Sequence, residues 1–268
     1  MDFLKRSLAP ITEAAWEAID DEARRVLSIN LTARQVVDVA GPKGLDFAAV
    51  SLGRLEVPDK EAAAGVRYGI PQVQPLVELR ASFELNIWEL DNIERGAKDL
   101  DLSSLTEAAR RLAHFEDQTV YCGFKPAKLP GLCEVSTHKP LSITNDARTY
   151  PERVSQAILL LRNAGVEGPY ALVLGDAPYL ALTAAGPNYP LLKTVEHLLD
   201  GPVIHTAVLK GGFLVSTRGG DLELTLGQDL AIGYETHDTK TVRLYLTESF
   251  TFQVLTPEAA VCLDLKEK

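Results

Sequence analysis

No stretch of this chain reaches 18 consecutive apolar residues, the length a membrane-spanning helix requires. A helical membrane span is therefore excluded, and no membrane partner is expected. The opening MDFLKRSLAP lacks both the apolar core and the small-residue cleavage site of a secretory leader, so the expected location is the cytoplasm. Cysteine is scarce: Cys122, Cys133 and Cys262 form no CxxC pair, and any one disulfide would leave an odd thiol. Buried free thiols in a reducing compartment are expected. The five histidines, His114, His138, His197, His205 and His237, lack the i, i+4 spacing that places two imidazoles on one helical face, so no metal site is expected. GxSxG, GxxxxGK[ST] and GxGxxG are absent as well, which removes the usual nucleophile, nucleotide and dinucleotide motifs. Positive charge is in deficit, with 27 Lys and Arg against 37 Asp and Glu and a net charge of −10. Such a balance repels phosphate backbones, and nucleic acid is not an expected partner.

What the chain does have is core-forming capacity. With 268 residues and 46% hydrophobic content it can build one large core or two smaller ones. Pro10 and Thr12 precede Trp16, Ile19, Ala23, Val26 and Leu27, whose steps of three and four predict an amphipathic N-terminal helix. Residues 1–34 carry five basic and six acidic side chains, so this segment is no basic arm. From Val77 to Ile87 the alternation is unbroken, with Val77, Leu79, Ala81, Phe83 and Leu85 on one side and Glu78, Arg80, Ser82, Glu84 and Asn86 on the other. Ahead of this strand, SLGRLEVPDKEAAAGVRYGIPQVQP is polar and proline-bearing, with little means of burying itself. Ser104 with Glu107 predicts a capping box, followed by a helix burying Leu105, Ala108, Leu112 and Phe115. Another helix over Pro151–Ala164 is expected to stop at Gly165, GPYALVLG reads as a buried strand, and Asp176 is expected to cap a short helix in DAPYLALTAAG. The region from Gly212 to Leu265 reads as successive strands, and the mixture implies an α+β fold.

The strings MDFLKRSLAPITEAAWEAIDDEA, PLVELRASFELNIWELDNIERG, GPYALVL, RGGDLELTLGQDLAIGYE and ESFTFQVL, in that order, resemble the encapsulins, the shell proteins of bacterial and archaeal nanocompartments once labelled linocin-type bacteriocins. The resemblance covers nearly the whole chain. It implies the tailed-phage major-capsid fold of the Hong Kong 97 type. Residues 1–49 would hold a lumenal helix and the start of a peripheral domain, 50–77 an extended loop, 78–134 the peripheral domain, 135–223 an axial domain, and 224–268 strands returning to the peripheral domain.

The resemblance also implies a closed icosahedral shell of roughly sixty copies around a cargo enzyme, either a ferritin-like protein or a dye-decolourising peroxidase. Iron storage or oxidative-stress defence would be its role. A C-terminal targeting peptide on the cargo would dock on Leu27, Arg34, Asp38, Asp229, Ile232 and Gly233. Thr183, Ala184, Ala185, Gly186, Pro187, Asn188 and Tyr189 would rim the five-fold pore, with no histidine there to gate it. No cofactor is required by this reading, although Arg80 and Trp88 stand where some encapsulins bind a flavin such as FMN. Two rival classes remain at this level: an enzyme, either a flavin-binding redox protein or a peptidase, and a phage capsid subunit. The first lacks a local catalytic arrangement and the second needs charge to neutralise DNA.

Overall fold

The computed structural model describes residues 3–184 and 191–266. Thr12 Oγ1 accepts from Ala15 N at 3.2 Å, satisfying one of the donors that a helix N-terminus leaves without a partner. The helix it opens, α1 (Glu13–Asn30), buries Ala15, Ile19, Ala23, Val26 and Leu27 as the spacing predicts. A short strand, β1 (Asp38–Ala40), leads into a hairpin of β2 (Ala49–Glu56) and β3 (Ile70–Pro75), which pair with each other alone. β4 (Val77–Asn86) keeps its alternation, burying Phe83 and Leu85 and exposing Glu78, Arg80, Ser82 and Glu84. Asn86 Oδ1 then accepts from Trp88 N at 2.9 Å, which ends the strand and starts α2 (Ile87–Glu94).

The next helix, α3 (Ser103–Cys122), corrects one expectation. It starts one residue before Ser104, so that hydroxyl cannot cap it and instead donates to Glu84 O of β4 at 2.6 Å. Asp101 Oδ1 accepts from Ser103 N at 3.1 Å, close to the helix start. Then follow α4 (Leu132–Val135), β5 (Leu141–Ile143), α5 (Tyr150–Asn163), β6 (Tyr170–Leu174), α6 (Asp176–Ala184) and α7 (Leu191–Leu199). Gly165, at φ +77°, closes α5 in the left-handed region open to glycine. Asp176 is the first residue of α6, and its carboxylate meets His205 Nε2 at 2.7 Å. The remaining strands are β7 (Val203–His205), β8 (Gly212–Ser216), β9 (Leu222–Leu226), β10 (Ala231–His237), β11 (Thr241–Val254) and β12 (Ala260–Leu265).

Two five-stranded sheets result. In the first, β11 pairs with β4 along one edge and with β10 and then β9 along the other, and β1 extends the sheet beyond β9. The second runs β5-β12-β8-β6-β7. Of the strands within 224–268, β10 and β11 lie in the first sheet, whereas β12 pairs with β8 and β5 in the second. Asp221 O accepts from both Leu255 N (2.8 Å) and Thr256 N (3.1 Å), where the chain leaves β11 for the second sheet.

One core cluster packs α1 and α3 on the inner face of the first sheet, another packs α5 and α7 on the second, and a third joins the two around Tyr121, Phe213, Phe250 and Phe252. Tyr121 and Phe213 stack with ring centres 5.6 Å apart. The cysteines depart from expectation too: Cys262 is buried, Cys122 is partly covered, and Cys133 on α4 is exposed. The turn before α4 is tight. A Cβ on Gly131 would lie 2.2 Å from Gly123 N and 2.3 Å from Cys122 C, backbone atoms that cannot step aside. Gly131→Ala should therefore destabilise the protein by about 2–3 kcal/mol. Denaturant unfolding measures this, and an unchanged midpoint would contradict the close packing of the turn.

Candidate functional site around Arg34

The chain leaving α1 makes one tight turn over Ala33–Gln35 and carries Arg34 into a ring of carboxylates. Arg34 Nε donates to both oxygens of Glu116 at 3.0 Å, and Nη2 donates to Glu116 Oε2 at 2.6 Å. Nη1 donates to Asp229 Oδ1 at 2.9 Å, and Nη2 also donates to Glu248. The side chains of Glu116 and Glu248 are 0% exposed, whereas Asp229 is 47% exposed, so the ring has a dry side and a wet rim. Next to Glu116, buried Asp117 accepts from Thr32 N (3.1 Å), Thr32 Oγ1 (2.5 Å) and Ala33 N (2.8 Å). Thr206, just beyond β7, reaches the same carboxylate at 3.4 Å.

One guanidinium faces three carboxylates here, and the excess negative charge has a consequence. Burial, and then the charge of Glu116, hold the Glu248 carboxyl well above its ordinary range, against the pull of the Arg34 cation. Burial also pushes Asp117 up to about 6, against the donors of Thr32 and Ala33. Removing Arg34 would strand Glu116 without its cation. Arg34→Met should cost about 3–5 kcal/mol in denaturant unfolding, and Glu248→Gln, which removes a carboxyl whose charge burial disfavours, should cost less. Equal losses in the two variants would contradict this charge assignment.

The pH dependence of Asp117 has a definite sign. Its raised folded pKa adds stability that is complete below about 4 and lost as pH rises through about 6, on the order of 3 kcal/mol in all. The stability of wild type relative to Asp117→Asn should fall across that window. A flat difference would refute the assignment.

The structure divides the residues expected to form the docking groove. Leu27 and Ile232 are 8% and 3% exposed and belong to the core between α1, α3 and the first sheet, so neither is a free groove wall within the chain. Gly233 faces the opposite side of the sheet, as alternation along β10 requires. A Cβ there would lie 2.3 Å from the Tyr245 ring, so glycine makes room for that ring. Asp38 sits elsewhere: it is in register with Glu223 and so lies opposite Gln253, whereas Ile232 faces Leu246. That separation along β11 is about 23 Å at ~3.3 Å per residue. Asp38 Oδ2 accepts from Gly220 N at 2.5 Å. Of the expected set, the structure brings Arg34 and Asp229 into direct contact.

Arg80 and Trp88 are not brought together. The Arg80 guanidinium lies over the Tyr245 ring at 4.2 Å and 3.6 Å from Glu78. Trp88, 73% exposed, borders a cavity of about 540 Å³ shared with Glu84, Glu89 and Asp101. About 20 Å of strand separates the two residues. Glu84 there is paired with Arg243, but Glu89 and Asp101 keep the indole's surroundings acidic, which does not suit a flavin phosphate. Of the expected pore rim, Thr183 and Ala184 end α6, while Ala185, Gly186, Pro187, Asn188 and Tyr189 lie outside the described residues.

Sequence reasoning missed Glu116, Asp117 and Glu248. A signal existed for the last: in TVRLYLTESFTFQV, Glu248 occupies an inward position in line with Leu244, Leu246, Phe250 and Phe252. A lone carboxylate in such a row demands a buried cation or a proton.

A family model described as "Encapsulating protein for peroxidase" matches residues 1–251. The chain is 44% identical to the type 1 encapsulin shell protein of Rhodococcus erythropolis over 98% of this chain and 100% of that one. It is 46% identical to the type 1 encapsulin shell protein of Rhodospirillum rubrum, over 98% and 96%. Both relatives are named as shell proteins rather than enzymes. In fold it is similar to a virus-like particle from Pyrococcus furiosus, with TM-score 0.63 at 16% identity over 92% of this chain and 98% of that chain. It is also similar to a structure titled "Mycobacterium phage Bobi", with TM-score 0.57 at 11% identity over 88% and 91%. The architecture is that of the tailed-phage capsid proteins.

Proposed function

The chain belongs to the type 1 encapsulin shell proteins, and from that membership we propose that about sixty copies close into an icosahedral cage around a cargo enzyme in the cytoplasm. The observation that carries this reading is the β2–β3 hairpin. From residue 51 to 73 only Pro58 is even partly buried, and Leu55, Val57, Val66, Ile70 and Val73 are all at least 50% exposed. Such a row of apolar side chains on an isolated hairpin fits a partner surface, and a neighbouring copy of the same chain supplies one repeatedly until the shell closes. Exposed Trp88 is a second candidate anchor for a subunit contact.

The cargo is a peroxidase or a ferritin-like protein bearing a C-terminal targeting peptide, and oxidative-stress defence or iron storage follows from that choice. The wording of the family description supports the peroxidase. Docking would use the wet rim of the Arg34 ring, where Asp229 is accessible, with the partly buried Leu230 and Tyr234 nearby in the chain. Leu27 and Ile232 would support that rim from the core. Negative-stain imaging of the purified protein, followed by mass spectrometry of its contents, tests both statements. Closed particles holding a peroxidase or ferritin-like protein are expected, and a species that stays monomeric or dimeric across salt and concentration would remove the cage. Leu55→Asp with Ile70→Asp should give small oligomers that keep the wild-type unfolding midpoint of the chain. Intact cages in that variant would contradict the role of the hairpin.

A further inference from the structure

The three cysteines, far apart in sequence, converge at the junction of the two sheets. Cys122 is the last residue of α3, Cys133 lies in α4, and Cys262 lies in β12. The intervening loop folds back on itself, with Phe124 N donating to Leu129 O at 2.8 Å and Leu129 N to Phe124 O at 3.1 Å. Gly131 then seats α4 against the end of α3, and Ser136 Oγ donates to Ala260 O at 2.7 Å, fastening the other end of α4 to β12. Cys133 is thereby held between the end of α3, which carries Cys122, and β12, which carries Cys262. All three are free, and among the described residues no group of three ligating side chains is placed to hold a metal ion. The arrangement suits sulfur–sulfur chemistry better than coordination.

We propose that this cluster is a peroxide-oxidised disulfide relay in which Cys133 is the shared member, bonded first to Cys262 and then to Cys122. The inference goes beyond the shell reading and does not depend on which cargo is enclosed. Cys262 starts the sequence because the hydrogen bond from Cys133 lowers its pKa, favouring the reactive thiolate. Its 7% exposure favours an oxidant as small as hydrogen peroxide.

In the first step the Cys262 sulfur attacks one peroxide oxygen: the O–O bond breaks, an S–O bond forms, and the departing hydroxide takes the thiol proton to become water. In the second, the Cys133 sulfur attacks the sulfenic sulfur, the S–O bond breaks, and the oxygen leaves as a second water carrying the Cys133 proton. One peroxide is reduced to two waters and two thiols are oxidised to one disulfide. Cys122, deprotonated as it attacks, then displaces Cys262 from Cys133. Cys262 leaves as a thiolate, and the most acidic thiol of a set is the better leaving group. Hydrogen bonding to Cys133 and burial raise Cys122, so the finished disulfide joins the two less acidic sulfurs.

The test uses the purified full-length protein in its assembled form. It is exposed to hydrogen peroxide, denatured, alkylated, and read by intact mass and disulfide-peptide mapping. The expected result is a fall from three alkylated thiols per chain to one, a loss of two hydrogens in mass, and a Cys122–Cys133 cross-link that a dithiol reductant reverses. Cys122→Ser should stop at Cys133–Cys262, and Cys133→Ser should form neither cross-link. Three alkylated thiols after treatment, oxygen added to Cys133 without a cross-link, or disulfides only between chains would each overturn the proposal. So would a Cys122–Cys262 bond in Cys133→Ser. If that variant fails to fold, the wild-type and Cys122→Ser maps decide the matter alone.

Discussion

A single guanidinium fixes the relation of the chain's early and late halves. Arg34 gathers Glu116 of α3, Glu248 of β11 and Asp229 of the turn before β10 around the exit of α1. Asp117, one residue along α3, ties the backbone of that exit to Thr206 beyond β7. The opposing faces of α1, α3 and the first sheet are apolar, and apolar contact alone is non-directional. The ion ring adds direction: its geometry is satisfied only when Ala33–Gln35, α3 and β11 meet in one arrangement. Specificity of this kind is expected to carry a desolvation cost. Here burial and the neighbouring Glu116 raise the Glu248 pKa, the direction that eases the burial of its carboxyl.

The rigid body built in this way leaves its remaining apolar surface outside. The β2–β3 hairpin has no core of its own, and its two strands bond to each other while their side chains stay exposed. A chain that places one half-finished surface on an arm and the rest on a well-packed body is arranged for repetition. Membership in the shell proteins and the capsid architecture agree with that arrangement. Among the described residues the acids around Arg34 are engaged by that guanidinium, and their work is positional.

Much of the fold was legible because local pattern and tertiary outcome agree. The alternation of β4, the stripe of α1 and the glycine closing α5 each have a cause within a few residues, and each is found in place. The Ser104 cap was misplaced by two residues, and a strand carbonyl remote in sequence takes the hydroxyl instead. The destination of β12 depends on a turn at Asp221 O that no periodicity announces. The site was less legible than the fold. Resemblance picked out Arg34 and Asp229, but not the buried acids that hold Arg34, because Glu116 and Glu248 are 132 positions apart. Arg80 lies near the start of β4 and Trp88 just past its end, so strand geometry separates them.

The most direct measurement of the central claim is a double-mutant cycle between Arg34 and Glu116, built from Arg34→Met, Glu116→Gln and the pair, with stability read by denaturant unfolding. If the ion ring fixes the arrangement, the double variant should be more stable than the sum of the single losses allows, with a coupling of about 2–3 kcal/mol, because removing both partners leaves no stranded charge between them. Losses that simply add would contradict it, and would show that Arg34 and Glu116 contribute independently of each other.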